Sequence, residues 1–315
     1  MRRALWVMAL AAGCFGGAPV DPQSPPVGAA PASPAATARV ADASLAVADS
    51  AEPLPADLLR IDLAADGLWI TMPGGERELV TPVEGEGTAL TPVGMKKYGE
   101  GLTPLVDWIM THLKPSTAPK VIAVSVPADA RYEVVKPIFR EFHVAGARTA
   151  WLVVRRDDGS EGGLPMPYPE LLLDPSQQVP TLRLLLSPEG ATYEGLGDAA
   201  IADRRTYDCD PPCTTPDTWP RRDLGRMALR AHKSQGLTHL AIIPHNDVRW
   251  DVIIDLMDLT RTDARLDGQG APMFSDQRIA GARRLEPTPE EQLKTAVILG
   301  KRREERKKQE EGGGE

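Results

Sequence analysis

No apolar run in this chain is long enough to cross a membrane as a helix. Such a helix needs roughly 20 apolar residues, and the first candidate, "ALWVMALAAG" at 4–13, falls far short. A basic face is also missing. The net charge is −8, a mildly acidic balance, and nothing resembles the Lys/Arg face that nucleic-acid binding requires. Catalytic signatures are absent too. "GEGTAL" and "EGLGDAA" have neither the glycine spacing nor the strand–loop–helix context of a phosphate loop. There is no Gly-x-Ser-x-Gly elbow and no His-Glu-x-x-His helix. His232, His239 and His245 repeat no recognised ligand spacing. No catalytic residue, metal or cofactor is therefore expected, and an enzyme with a site assembled between repeats is the least favoured reading.

Cysteine is scarce, at three residues. Cys14 closes the N-terminal apolar run, behind Arg2 and Arg3. Positive residues, a short apolar core and small residues are the layout of a secretory signal. "ALAAGC" resembles a bacterial lipobox, which implies a signal peptide over 1–13 and lipidation of Cys14. A plain signal cut near Ala18 is the competing reading. Either way the mature chain is expected to be exported, with lipid as its membrane anchor if Cys14 carries one. Cys209 and Cys213 lie in "YDCDPPCTTP". In an oxidising compartment a local disulfide is favoured, because a metal pair needs two further ligands.

Composition divides the rest. Residues 14–55 are rich in Ala and Pro and read as a disordered tether. Residues 286–315 end in "KRREERKKQEEGGGE", a solvated charged tail. Between them the sequence repeats. "LRIDLAADGLWI" (59–70) aligns with "LRLLLSPEGATY" (182–193). Asp66-Gly67 and Glu189-Gly190 fall at the hairpin position, where glycine eases the turn. Helices are expected over "TPLVDWIMTHLK", with Thr103 able to cap and Pro104 in the first turn, and over "PRRDLGRMALRAHKSQG", stopping at Gly236. The strands "KVIAVSVP" and "THLAIIPH" follow, then a second helix in each unit, then "RTAWLVVR" and the less regular "MFSDQRIA". The fold class is thus α+β: two tandem β-β-α-β-α-β two-layer sandwiches, with helices on one face of each small mixed sheet. The units span 56–156 and 179–285, each long enough for its own core, with a linker over 157–178.

One phrase is written twice at the strand-to-helix junctions. It reads Asp129-x-Arg131-Tyr132-Glu133 in the first unit and Asp247-x-Arg249-Trp250-Asp251 in the second. Asp129 and Asp247 stand where helix N-caps belong. Glu133 and Asp251 suit the positive end of the helix dipole. Tyr132 and Trp250 begin apolar stripes. Arg131 and Arg249 are the remaining candidates for a binding surface. Pro137 is expected to disturb its helix.

The progression "VIAVSVPADARYEVVKPIFREFHVAGARTAWLVV" resembles the periplasmic domain of the ExbD/TolR family. The resemblance covers residues 57–155 well and 180–280 less well. It implies a periplasmic, non-catalytic partner of a proton-driven envelope motor or transport complex, docking through sheet edges or surface contacts, with peptidoglycan as a further ligand. The chain departs from the family in two ways. It lacks a membrane helix bearing an acidic residue, the group that makes proton coupling possible. It also carries two such units, so a fused pair would replace the family's homodimer. A peptidoglycan-binding or structural envelope lipoprotein with no motor contact is the alternative.

Overall fold

A computed structural model describes residues 45–113, 118–168, 179–187, 190–196, 206–209, 213, 215–262 and 270–279. The signal region, Cys14, most of the tether and the charged tail lie outside the described residues. Among those described, the chain is mixed α/β, with four α-helices, two mixed sheets and a two-stranded ribbon.

The first half runs β1 (Leu59–Ala64), β2 (Gly67–Thr71), β3 (Arg77–Thr81), the short ribbon β4 (Val83–Glu84) and β5 (Thr91–Pro92), α1 (Thr103–His112), β6 (Val121–Ser125), α2 (Tyr132–Ala145), β7 (Thr149–Arg155) and β8 (Glu161–Pro167). The second half runs β9 (Thr181–Ser187), β10 (Gly190–Leu196), β11 (Thr206–Asp208), α3 (Arg221–Gln235), β12 (His239–Pro244), α4 (Trp250–Arg261) and β13 (Asp276–Ile279). The larger sheet is ordered β3-β2-β1-β6-β7-β8 and the smaller β11-β10-β9-β12-β13. Omitting β8, the two orders are the same. In each, a hairpin lies antiparallel and the later strands add in parallel.

Strand alternation sets the core. Leu59, Ile61 and Leu63 of β1 are buried, and Ile61 and Leu63 sit opposite Ile70 and Leu68 of β2. Side chains two apart share one face of a strand, so these residues join α1 and α2 in one apolar layer. Arg60 and Asp62 occupy the opposite face, where Arg60 bonds both Asp62 and Glu161.

Helix ends follow local chemistry. α2 stops at Gly146 (φ 109), and the N–H groups of Gly146 and Ala147 donate to His143 and Phe142. α3 stops at Gly236 (φ 66), as its sequence predicts. Pro137 lies inside α2 and cannot donate to the carbonyl of Glu133. That carbonyl faces Gly99, where a Cβ would stand 2.3 Å from it. A side-chain-free turn thus fits against the gap that proline leaves.

Several expectations need correction. Thr103 is not a cap: Leu102 occupies that position and Thr103 is already helical. The linker over 157–178 contains β8, which pairs with β7 from Arg155–Glu161 to Thr149–Pro167. Its Gly162, Gly163, Pro165 and Pro167 read as loop, yet an edge strand tolerates proline. β3 and β11 add a third strand to each hairpin. Separate cores are not found: one apolar cluster runs through both halves, and the rings of Phe139 and Trp250 meet at 5.8 Å.

The tether is the largest correction. Residues 45–55 are not free chain but a packed strap. Leu45, Ala46 and Ala48 are buried. Ala48 donates to Arg155, whose own N–H donates to Ala46. Ala/Pro-rich composition hides this contact because small residues pack closely without a strong hydropathy signal.

Candidate functional site

The repeated phrase meets itself. Arg131 and Arg249 face one another as an isolated antiparallel bridge. The amide of Tyr132 donates to the carbonyl of Val248 at 2.9 Å, and that of Trp250 to Ala130 at 2.8 Å. One residue further on, Glu133 donates to Asn246 at 3.0 Å and Asp251 to Ala128 at 2.8 Å. Each bond has its counterpart when the two phrases are exchanged.

This arrangement corrects the cap assignment of Asp129 and Asp247. Arg131 and Arg249 occupy the N-cap positions, both in extended conformation, and neither makes a side-chain cap bond. The first amides of a helix have no partner within it. Here backbone carbonyls of the opposite half accept from them, so the aspartate side chains are not needed as caps. An exposed amide pair at a helix start becomes a joint between halves.

The side chains do not follow the same symmetry. Arg131 reaches across to Asp247 at 3.4 Å, and Asp247 also lies 3.3 Å from His245. Both Arg131 and Asp247 are well exposed, so the pair contributes little. Arg249 instead turns back to its own Asp251, with bonds of 3.2 and 2.5 Å, and both are largely buried. Burial raises the Asp251 pKa, while Arg249 and the Val252 amide pull it down and the nearby Asp129 carboxylate pushes it up. Of the two arginines expected on a binding surface, Arg131 is open and Arg249 is engaged.

Aromatic packing locks the joint from behind. Trp250 and Tyr132 are both buried. Phe139 lies between Trp250 and Tyr168, and Tyr168 stacks on His143 at 5.0 Å. Burial raises the hydroxyl pKa values of Tyr132 and Tyr168 and lowers that of the His143 imidazole. Burial thus disfavours the charged form of each group.

An open groove of about 560 Å³ lies elsewhere, between β3 and α1. Glu78, Leu79 and Val80 form one wall, and Pro104, Asp107 and Trp108 the other. Trp108 donates from Nε1 to Glu78 at 2.7 Å. His112 stacks on Trp108 and its Nε2 lies 3.4 Å from Glu78. β3 is the terminal strand of its sheet, and Leu79 is exposed. Sequence reasoning missed this groove because β3 sits in a stretch without a regular alternation.

Cys209 and Cys213 lie at disulfide distance, directly after β11. No cluster of three or more His, Cys, Asp or Glu able to hold a metal occurs among the described residues. No described helix is long and apolar enough to cross a membrane. Comparison with known proteins finds no matching family model and no matching characterised relative.

Proposed function

We propose that the chain is a non-catalytic, exported scaffold built as a tandem duplication of one two-layer unit. In this reading it is a lipoprotein of the periplasm, anchored through Cys14, and a binding partner of a proton-driven ExbB/ExbD- or TolQ/TolR-like motor or transport complex. The observation that carries the scaffold is the reciprocal joint. Four backbone bonds related by exchange of the two phrases join the starts of α2 and α4, in halves whose sheets share one strand order once β8 is omitted. In this reading the joint stands in for a homodimer interface within a single chain. The motor assignment rests on the sequence resemblance to the ExbD/TolR family.

The docking surface in this reading is the β3 edge with the groove beside it. A terminal strand offers unpaired backbone groups that an extended partner segment can bond, without any special side-chain motif. Leu79 supplies exposed apolar surface, and Glu78 and Asp107 supply negative charge. The test is capture from cell membranes on the immobilised full chain. Enrichment of motor stator proteins, reduced by Val80→Pro in β3, supports the reading. Equal recovery with and without Val80→Pro removes the β3 edge from it. Failure to enrich stator proteins, with sedimentation on purified peptidoglycan instead, favours a cell-wall lipoprotein.

A further inference from the structure

The bridge between Cys209 and Cys213 joins nothing distant. Its sequence separation is 4, and its Cα atoms lie 5.6 Å apart. A disulfide stabilises chiefly by closing a loop in the unfolded chain, and the effect grows with loop length. Here the loop is short and contains Pro211 and Pro212, whose fixed φ already restricts the unfolded chain. Stapling a core is therefore a poor account of this pair.

The two sulfurs differ in their surroundings. Cys209 is 6% exposed and belongs to the apolar core. Cys213 is half-buried and packs against that core from its rim. Cys213 also adopts φ 41, a left-handed backbone that is unfavourable for a residue with a side chain. Thiol exchange reaches first the sulfur that is accessible. Opening the bridge also frees Cys213 to leave that conformation.

The bridge starts where β11 ends. β11 has three residues and is the terminal strand of the smaller sheet. Its Tyr207 pairs with Ala191 of β10 and sets its ring edge-on to Tyr193 at 6.2 Å. Tyr193 is fully buried and donates its hydroxyl to the Leu224 carbonyl of α3 at 3.0 Å. A Cβ on Gly190 would stand 2.3 Å from the Tyr207 carbonyl oxygen, so β11 lies close against β10. So short a strand has few ladder bonds, and the covalent tie directly after it limits fraying.

We propose that Cys209–Cys213 is a reversible thiol-exchange site whose reactant is a dithiol, and that its opening loosens β11 from β10. One thiolate of the dithiol attacks Sγ of Cys213. The S–S bond breaks and its electron pair goes to Sγ of Cys209, which takes up the proton released by the attacking thiol. The second thiol of the reactant then displaces Sγ of Cys213 and gives it a proton. The products are two protein thiols and the oxidised dithiol. A monothiol stops at the mixed disulfide, which the neighbouring Cys209 thiol reverses. With β11 loosened, the edge of β10 opens to other backbone partners. This inference does not depend on the motor reading.

The experiment is reduction of the native full chain by dithiothreitol at rising concentrations, in a Cys14→Ser background, with thiols counted by alkylation and mass spectrometry. Reduction is expected to speed up in proportion to dithiothreitol and to run at least tenfold faster than global unfolding, measured by urea jumps extrapolated to water. It should raise amide exchange in β10 and β11 at least tenfold, leave β12 unchanged, and reverse with oxidised glutathione. Two variants separate the sulfurs. The Cys213 thiol of Cys209→Ser should react with iodoacetamide at least tenfold faster than the Cys209 thiol of Cys213→Ser. If either variant fails to fold, reduction of the native disulfide still decides. Reduction no faster than unfolding and independent of dithiothreitol marks a structural staple and overturns the inference. Unchanged exchange in β10 and β11 after reduction, or equal alkylation of the two thiols, also overturns it.

Discussion

Arg131 and Arg249 lie opposite one another in an antiparallel bridge although 118 positions separate them in the chain. Around them, the first amides of α2 and α4 donate to carbonyls of the opposite half. A helix start is costly to bury because its amides lack partners. Pairing two starts back to back removes that cost for both, and it explains why one phrase occurs at both junctions.

The aspartates of that phrase should then matter less than true caps. Replacing a capping aspartate by alanine costs about 1 kcal/mol. Asp129→Ala and Asp247→Ala are expected to cost less than about half of that, because neither carboxylate caps its helix and the Asp247 pair with Arg131 is exposed. Urea denaturation of the two variants measures this directly. A loss near the full capping value would restore the side-chain caps.

Trp250 ties the halves more firmly. Its ring is fully buried and packs against Phe139 of the other half. Trp250→Ala should cost about 3–5 kcal/mol. Because the apolar cluster is continuous, unfolding should remain a single transition, monitored by circular dichroism and by calorimetry. A variant in which only one half melts would show separable cores.

Much of this arrangement can be read from residues in order. The β1–β2 hairpin falls where Asp66-Gly67 places it, although Ala65 and Asp66 make the turn and Gly67 opens β2 without a positive φ; Gly146 and Gly236 mark two helix ends because left-handed backbone geometry is local. β6, β7 and β12 are visible as apolar runs. What was not legible depends on distant partners. Ala46 and Ala48 become core only because Arg155 bonds them. Gly163 becomes strand only because β7 and Glu52 flank it. The carbonyls of Ala128 and Asn246 act as caps, and no side-chain pattern announces a carbonyl.

His143 should give stability a pH dependence. Burial holds its pKa below the ordinary imidazole value, against the raising effect of its bond to Ala147. The unfolded chain therefore binds a proton at higher pH than the folded one. Stability is fully present above about pH 6.5, the ordinary value, and falls as pH drops from there toward the folded pKa. Urea midpoints between about pH 7.5 and about pH 5 should show this slope. His143→Phe, which keeps a ring against Tyr168, should flatten it.

In the β3–α1 groove, Glu78 accepts from the indole of Trp108, which is only 5% exposed. Glu78→Ala leaves that donor without its acceptor and should cost about 1–3 kcal/mol. Glu78→Gln keeps an acceptor and should recover most of the loss. Thermal melting of the pair distinguishes a bonded indole from a merely apolar wall.

The central claim is the reciprocal joint, and amide hydrogen exchange on the native protein tests it most directly. First-turn amides of an ordinary helix exchange early, because nothing within the helix protects them. The account predicts that the amides of Tyr132, Glu133, Trp250 and Asp251 exchange as slowly as those of the core strands β6 and β12. Rapid exchange at these four positions, with β6 and β12 still protected, would contradict it.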